Sequence, residues 1–202
     1  TYPSYYGVTA QDFQQQIAIC HEANIPVLVD EAHGAHLTVT EQLPASALDL
    51  GADIVVQSAH KTLPAMTMAS FMHVKSQLVS EERINHYLRM LQSSSPSYLL
   101  LASLDDARSY VANYTESDFV YLMDKRKQFI ESLTASTQLQ VVEVDDCLKL
   151  LVRAPGYTGF ELKAALEKMH VYVELADARQ VLLILPLLKH GDSYPFADLR
   201  IR

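Results

Sequence analysis

Two short apolar runs limit what this chain can fold into. Ile25 to Val29 reads IPVLV, and Asp53 to Gln57 reads DIVVQ. Both are short and β-branched, and their apolar residues follow one another instead of alternating. Such runs are buried on both faces, as strands of a mostly parallel sheet covered by helices. A third run, Ala69 to Val74 (ASFMHV), reads as another strand. Helical spacing fills the intervals. Thr9 to Asn24 is expected to be a helix, with Thr9 as its cap, Asp12 in the capping-box position, and Phe13, Ile17 and Cys20 on one face. Asn24 and Pro26 then stop it. Ala45 to Leu50 reads as a second helix that ends at Gly51. This alternation predicts an α/β domain. In such sheets ligands sit beyond the carboxyl ends of the strands. That rule selects Asp30 to His36 and Ser58 to Thr62.

The rest of the chain has a different pattern. Ser80 to Leu91 reads as a helix, and Gln92 to Tyr98 (QSSSPSY) as a polar break. Leu99 to Leu133 carries helical stripes long enough for one or two helices. Residues 139–153 read as two short strands and 159–170 as a helix, with further strands near 171–174 and 181–185. Strand, strand, helix, strand, strand is an α+β layer. The expected division is 1–110 as the C-terminal half of a large domain, 111–135 as a linking helix, and 136–202 as part of a small α+β domain. The chain opens on Thr1 and closes on FADLRIR, which reads as the start of a helix. A fragment of a longer protein is therefore expected.

Charge and cysteine content remove several function classes. The net charge of −8 argues against a nucleic-acid partner, which needs a basic face. No apolar run approaches the roughly 20 residues of a membrane span, so no membrane association is expected. The two cysteines, Cys20 and Cys147, are far apart and form neither a disulfide framework nor a zinc motif. They read as reduced thiols of a cytoplasmic protein.

The first selected loop contains Asp30-Glu31-Ala32-His33, letters shared with a class of helicases. Such a motor needs the phosphate loop G-x-x-x-x-G-K-S/T. No such loop occurs among the six glycines of the chain. A metal site built from Asp30, Glu31, His33 and His36 is a second reading, but loop spacing enforces no coordination geometry; no metal is expected. Solvent-facing polar residues are a third. The second loop, Ser58 to Leu63 (SAHKTL), puts Lys61 beside His60 just after a buried strand. Taken alone, Lys61 reads as a surface lysine. Taken with Asp30 one strand earlier, it fits a pyridoxal phosphate pocket. There a lysine holds the aldehyde carbon as a Schiff base, and a carboxylate keeps the pyridine nitrogen protonated. Ser58 and His60 would donate to the phosphate.

The blocks VLVDEAHGAH, LPASALDLGADIVVQSAHKTLPAMTMASFMHV and LQSSSPSYLLLASLDDAR closely resemble the Orn/Lys/Arg decarboxylase family over about the first 130 residues. These are fold-type I pyridoxal phosphate enzymes that remove the α-carboxylate of basic amino acids. The S-x-H-K motif separates them from related acyltransferases that also carry D-E-A-H. The resemblance implies that Lys61 is the Schiff-base lysine and Asp30 the partner of the pyridine nitrogen. It makes Ala32 the small residue on the ring face and His33 a contact of the substrate carboxylate. Ser58 and His60 match the phosphate ligands, and Lys61 or His60 would return a proton to Cα. Ser94, Ser95 and Ser97 match a segment near the active site at a dimer interface. Glu174, in VYVELAD, matches a small-domain position that would read a distal ammonium or guanidinium; a solvated surface glutamate is the plainer reading. The resemblance also implies a homodimer or higher homo-oligomer, a place in polyamine metabolism, and a phosphate loop and ring-stacking residue that lie earlier in the family's chains. Without them the isolated chain is expected to be inactive. Two alternatives stay open. One is an aminotransferase or other lyase on the same fold, and the other a catalytically lapsed member acting as a partner protein.

Overall fold

The computed structural model describes residues 1–135 and 138–193. The closing FADLRIR stretch lies outside the described residues. Two compact units are present. The first comprises Thr1–Tyr5 and Thr9–Asn113, and the second Tyr6–Val8 with Tyr114 onward.

In the first unit, α1 (Phe13–Glu22) leads to β1 (Leu28–Asp30). The helix is shorter than Thr9 to Asn24. Asp12 is its N-cap and makes no side-chain capping bond, so the cap falls at Asp12 instead of the expected Thr9. Asn24 takes a left-handed backbone (φ 55°), which ends the helix ahead of Pro26. The segment 45–50 is a turn instead of a helix. Ser46 Oγ accepts the Asp49 amide at 3.2 Å and donates to Asp49 Oδ2 at 2.8 Å. Local bonds of this kind compete with helix propagation.

β2 (Ile54–Ser58) pairs in parallel with β1, with Asp30 opposite Val56. A one-turn helix, α2 (Ala59–Thr62), follows directly. β3 (Ser70–Val74) then returns antiparallel to β2, with Ser58 opposite Ser70. The described sheet, ordered β1-β2-β3, is therefore mixed and not mostly parallel. A parallel return needs a crossover helix across the sheet, and the segment 59–69 holds only one turn. α3 (Glu81–Leu91) starts at Ser80, whose side chain accepts the Arg83 amide, and carries Glu81 and Glu82 in its first turn. Both choices suit a helix N-terminus. α4 (Tyr98–Ala112) is capped by Ser97.

In the second unit, α5 (Glu116–Ala135) buries Phe119, Leu122, Phe129 and Leu133. It belongs to this unit's core and does not stand as a link over 111–135. β4 (Gln140–Val142), β5 (Lys149–Arg153), β6 (Leu175–Ala176) and β7 (Val181–Ile184) form an antiparallel sheet ordered β4-β5-β7-β6. The strand expected near 171–174 falls instead at Leu175–Ala176, where Ala176 pairs with Val181. α6 (Gly159–Lys168) packs Leu162 and Leu166 on Val152 and Val181. A full capping box from Thr158 and Glu161 starts it. Gly159 has no room for a side chain: a Cβ there would lie 2.1 Å from Gln180 O. Among the described residues, no helix is long and apolar enough to cross a membrane.

Candidate active site

The site forms where β1 and β2 end side by side. Asp30 is the last residue of β1, and its exposed carboxylate accepts the Ala32 amide through Oδ1 at 3.0 Å. That bond folds the chain back at once, so Ala32 and His33 follow close to the strand end. His33 is buried, with its ring centroid 4.2 Å from that of Tyr5. On the neighbouring strand, α2 turns Lys61 out to solvent. Lys61 Nζ lies 3.1 Å from His33 Nε2. The two loops selected from the sequence thus meet through this pair.

His60 is held differently. Its Nδ1 lies 3.1 Å from the Ala69 carbonyl, an acceptor, so Nδ1 carries the proton and donates. This leaves Nε2 to accept in the neutral ring and to donate in the imidazolium. Ser58 is half-buried at the N-cap of α2 and makes no capping bond there. A carboxylate, a primary amine, two imidazoles and a hydroxyl therefore gather at the ends of two adjacent strands. Ser95 is exposed in the turn between α3 and α4, where its amide donates to Ser93 Oγ at 3.2 Å. Glu174 is exposed in the second unit, and its amide donates to Leu182 O at 2.9 Å. Among the described residues, no group of three or more His, Cys, Asp or Glu side chains is placed to hold a metal.

Glu31 is the residue that sequence reasoning passes over. The motif leaves it outside the chemistry, as a polar loop residue, yet its exposure is 0%. Its carboxylate accepts the Ala47 amide at 2.7 Å and Gln57 Nε2 at 2.5 Å. Gln57, inside β2, in turn accepts from His73 Nε2 of β3 at 2.9 Å. Burial raises the Glu31 pKa, opposed by the two donated hydrogen bonds and by the charge of His36. Burial also lowers that of His73, which favours the neutral ring. One signal is present in the sequence: Gln57 is a polar residue inside an otherwise apolar strand, and a buried amide demands partners.

At the opposite end of β2, Asp53 is buried. It accepts Val27 N–H at 2.7 Å, His21 Nε2 at 2.8 Å and Ser76 Oγ at 2.5 Å. Burial alone would raise its pKa, but these bonds outweigh it and hold the carboxyl below its ordinary range. They fix the start of β2 and so the direction in which its far end delivers Lys61.

The fold is that of the fold-type I class of pyridoxal phosphate enzymes. The constitutive lysine decarboxylase of E. coli superposes with a TM-score of 0.69 at 17% identity, over 97% of this chain and 34% of that one. A NifS-like protein from Rickettsia africae ESF-5 gives 0.65 at 13% identity, over 96% and 56%. Within that class the family is defined by sequence. The family described as "Orn/Lys/Arg decarboxylase, major domain" matches residues 1–150, and the chain belongs to it. The uncharacterized protein YaaO of Bacillus subtilis (strain 168) is 48% identical over 93% of this chain and 41% of its own length. An arginine decarboxylase of Halalkalibacterium halodurans is 34% identical over 99% and 43%. The chain thus spans less than half the length of these curated relatives.

Proposed function

We propose that the whole protein to which this chain belongs decarboxylates a basic amino acid with pyridoxal phosphate. The observation that carries this reading is the meeting of Lys61 with His33 beside Asp30, at the carboxyl ends of two adjacent parallel strands. Family membership supports the same chemistry.

The donor set suits the cofactor. Lys61 is the exposed primary amine that would bind its aldehyde carbon. Asp30 supplies the carboxylate for the pyridine nitrogen, Ala32 leaves room for the ring face, and Ser58 and His60 would hold the phosphate. A phosphate at His60 Nε2 requires that nitrogen to carry a proton, because Nδ1 already donates to Ala69. When bound, the cofactor supplies an electron sink for the bond to the departing carboxylate. The chain's own residues do the rest. Asp30 fixes charge at one end of the pocket. His33 orients Lys61 and is placed to contact the substrate carboxylate. Lys61 or His60 returns the proton to Cα. Glu174 and Ser95 are proposed on the substrate side, in a homodimer or higher homo-oligomer.

The test uses the full-length protein. After loading with pyridoxal phosphate and borohydride reduction, peptide mapping is expected to find the label on Lys61. Assay with arginine, lysine and ornithine is expected to release CO₂ from at least one. A label on another lysine, or transamination without CO₂, overturns the reading.

A further inference from the structure

Glu31 stands between Asp30 and Ala32, two residues assigned to the pocket, yet its side chain turns inward. Its backbone is also committed. The Glu31 amide donates to Val56 O at 2.9 Å, and its carbonyl accepts from Gly34 N at 2.9 Å. The carboxylate bonds Ala47 on one side and Gln57 on the other. The loop closes over its stem: a Cβ added at Gly34 would lie 2.5 Å from Glu31 Cγ and 2.9 Å from Cδ. The loop that carries Ala32 and His33 is therefore shaped around the buried Glu31 side chain, and β2, which delivers Lys61, is bonded to the same carboxylate.

We propose that Glu31 is a positioning residue that fixes the His33 loop against the Lys61 strand. This rests on the cofactor reading only for what the pocket binds; the placement itself stands on the geometry. Both partners of the carboxylate are donors, so an acceptor-only group fits and an alkyl group does not. A line of hydrogen bonds runs from His73 Nε2–H to Gln57 Oε1, and from Gln57 Nε2–H to Glu31. Its direction is set at the Glu31 end, where two acceptors are needed. Removing Glu31 leaves the Ala47 amide and the Gln57 amide buried without it, and frees the loop to shift over Gly34. A small displacement is enough to matter, because a misplacement of about 1 Å near reacting groups costs up to about 10²-fold.

The direction of the line also predicts a compensating exchange. In E31Q/Q57E, the residue-31 amide oxygen accepts from Ala47 and its NH₂ donates to the carboxylate at 57. That carboxylate still accepts from His73, so every bond is restored with the charge moved one strand across. In Q57E alone, two carboxylates face each other.

The test uses full-length protein carrying E31A, G34A, Q57E or E31Q/Q57E, with far-ultraviolet circular dichroism to confirm folding. Two readouts are taken: pyridoxal phosphate affinity from absorbance, and the rate at which Lys61 in cofactor-free protein reacts with an amine-selective acylating reagent across a pH series. E31A and G34A are expected to weaken cofactor affinity about tenfold or more and to change the Lys61 profile. Q57E is expected to weaken it too, and the exchange to recover most of the loss. A folded E31A with the affinity and Lys61 profile of the unaltered protein overturns the inference. If E31A does not fold, the exchange decides: an exchange no better than Q57E alone overturns it. If the unaltered protein takes up no cofactor, the functional reading fails, and the Lys61 profile alone judges Glu31.

Discussion

In the second unit, Leu150, Leu151 and Val152 of β5 are all buried, and α6 closes over the sheet with Leu162 and Leu166. In the first unit the buried residues include Glu31, His36, Ser46, Asp53 and Gln57, while Leu28, Val56, Met72 and Val74 of the sheet are exposed. In the second unit β5 buries four consecutive side chains, Lys149 with three apolar residues, and its apolar part packs on α6. The first unit buries hydrogen-bonded polar groups around its strand ends. Apolar packing stabilises but does not aim individual atoms, because many arrangements of similar volume serve equally well. Satisfied polar networks are directional and specify one arrangement. The difference sets a directional polar network beside the candidate site in the first unit, and an apolar cluster between α6 and its sheet in the second.

Four substitutions test that contrast. The largest effect is expected for Lys61→Ala in the full-length protein. Decarboxylase activity should fall on the order of 10³-fold or more, with little change in the thermal midpoint. A large fall in the midpoint would break the contrast, since Lys61 is exposed. Leu150→Ala in the second unit should do the reverse. It should cost about 2–5 kcal/mol in denaturant unfolding while borohydride labelling of Lys61 persists.

Asp53→Asn comes next, at about 1–3 kcal/mol, because it weakens a buried acceptor with three donors. Its sign with pH is defined. The folded-state pKa lies below the unfolded one, so the stabilisation is present above the ordinary carboxylate range. It is lost as pH falls through the lowered value. The stability difference between the unaltered protein and the Asp53→Asn variant should therefore shrink in acid, and a constant difference would refute the assignment. The smallest effect is Thr158→Ala, which removes one half of the capping box at α6. A loss of about 1 kcal/mol is expected, confined to the second unit and measurable as faster amide exchange in α6.

Much of this contrast is readable in the sequence. Asp30 and Lys61 stand out because a strand's carboxyl end is a privileged place and their residue types are chemically distinctive. The motif blocks then point to the family, which matches residues 1–150. The direction of β3 is also legible in principle, since the segment 59–69 is too short for a crossover. The expectation of a mostly parallel sheet fails there because apolarity reports burial and not direction. Glu31 is not legible from periodicity, as a loop residue has no repeating neighbours that reveal which way it faces. Its burial depends on Gly34, Ala47 and Gln57 converging from three segments. The turn at 45–50 escapes for a related reason: the Ser46–Asp49 pair overrides a helical pattern by bonding locally.

The antiparallel closure of β2 on β3 has a consequence for how such a sequence can change over time. Ala59 N bonds Ala69 O at 3.2 Å, and His60 Nδ1 is fixed to the same carbonyl. The segment that presents Lys61 is therefore a closed loop with a bonded neck. A residue inserted or lost within 59–69 has to be absorbed by sliding β3. A slip of one position turns every β3 side chain to the other face, which carries His73 away from Gln57. The bonded neck and the β3 register thus constrain the length of this loop directly, whatever side chains it carries.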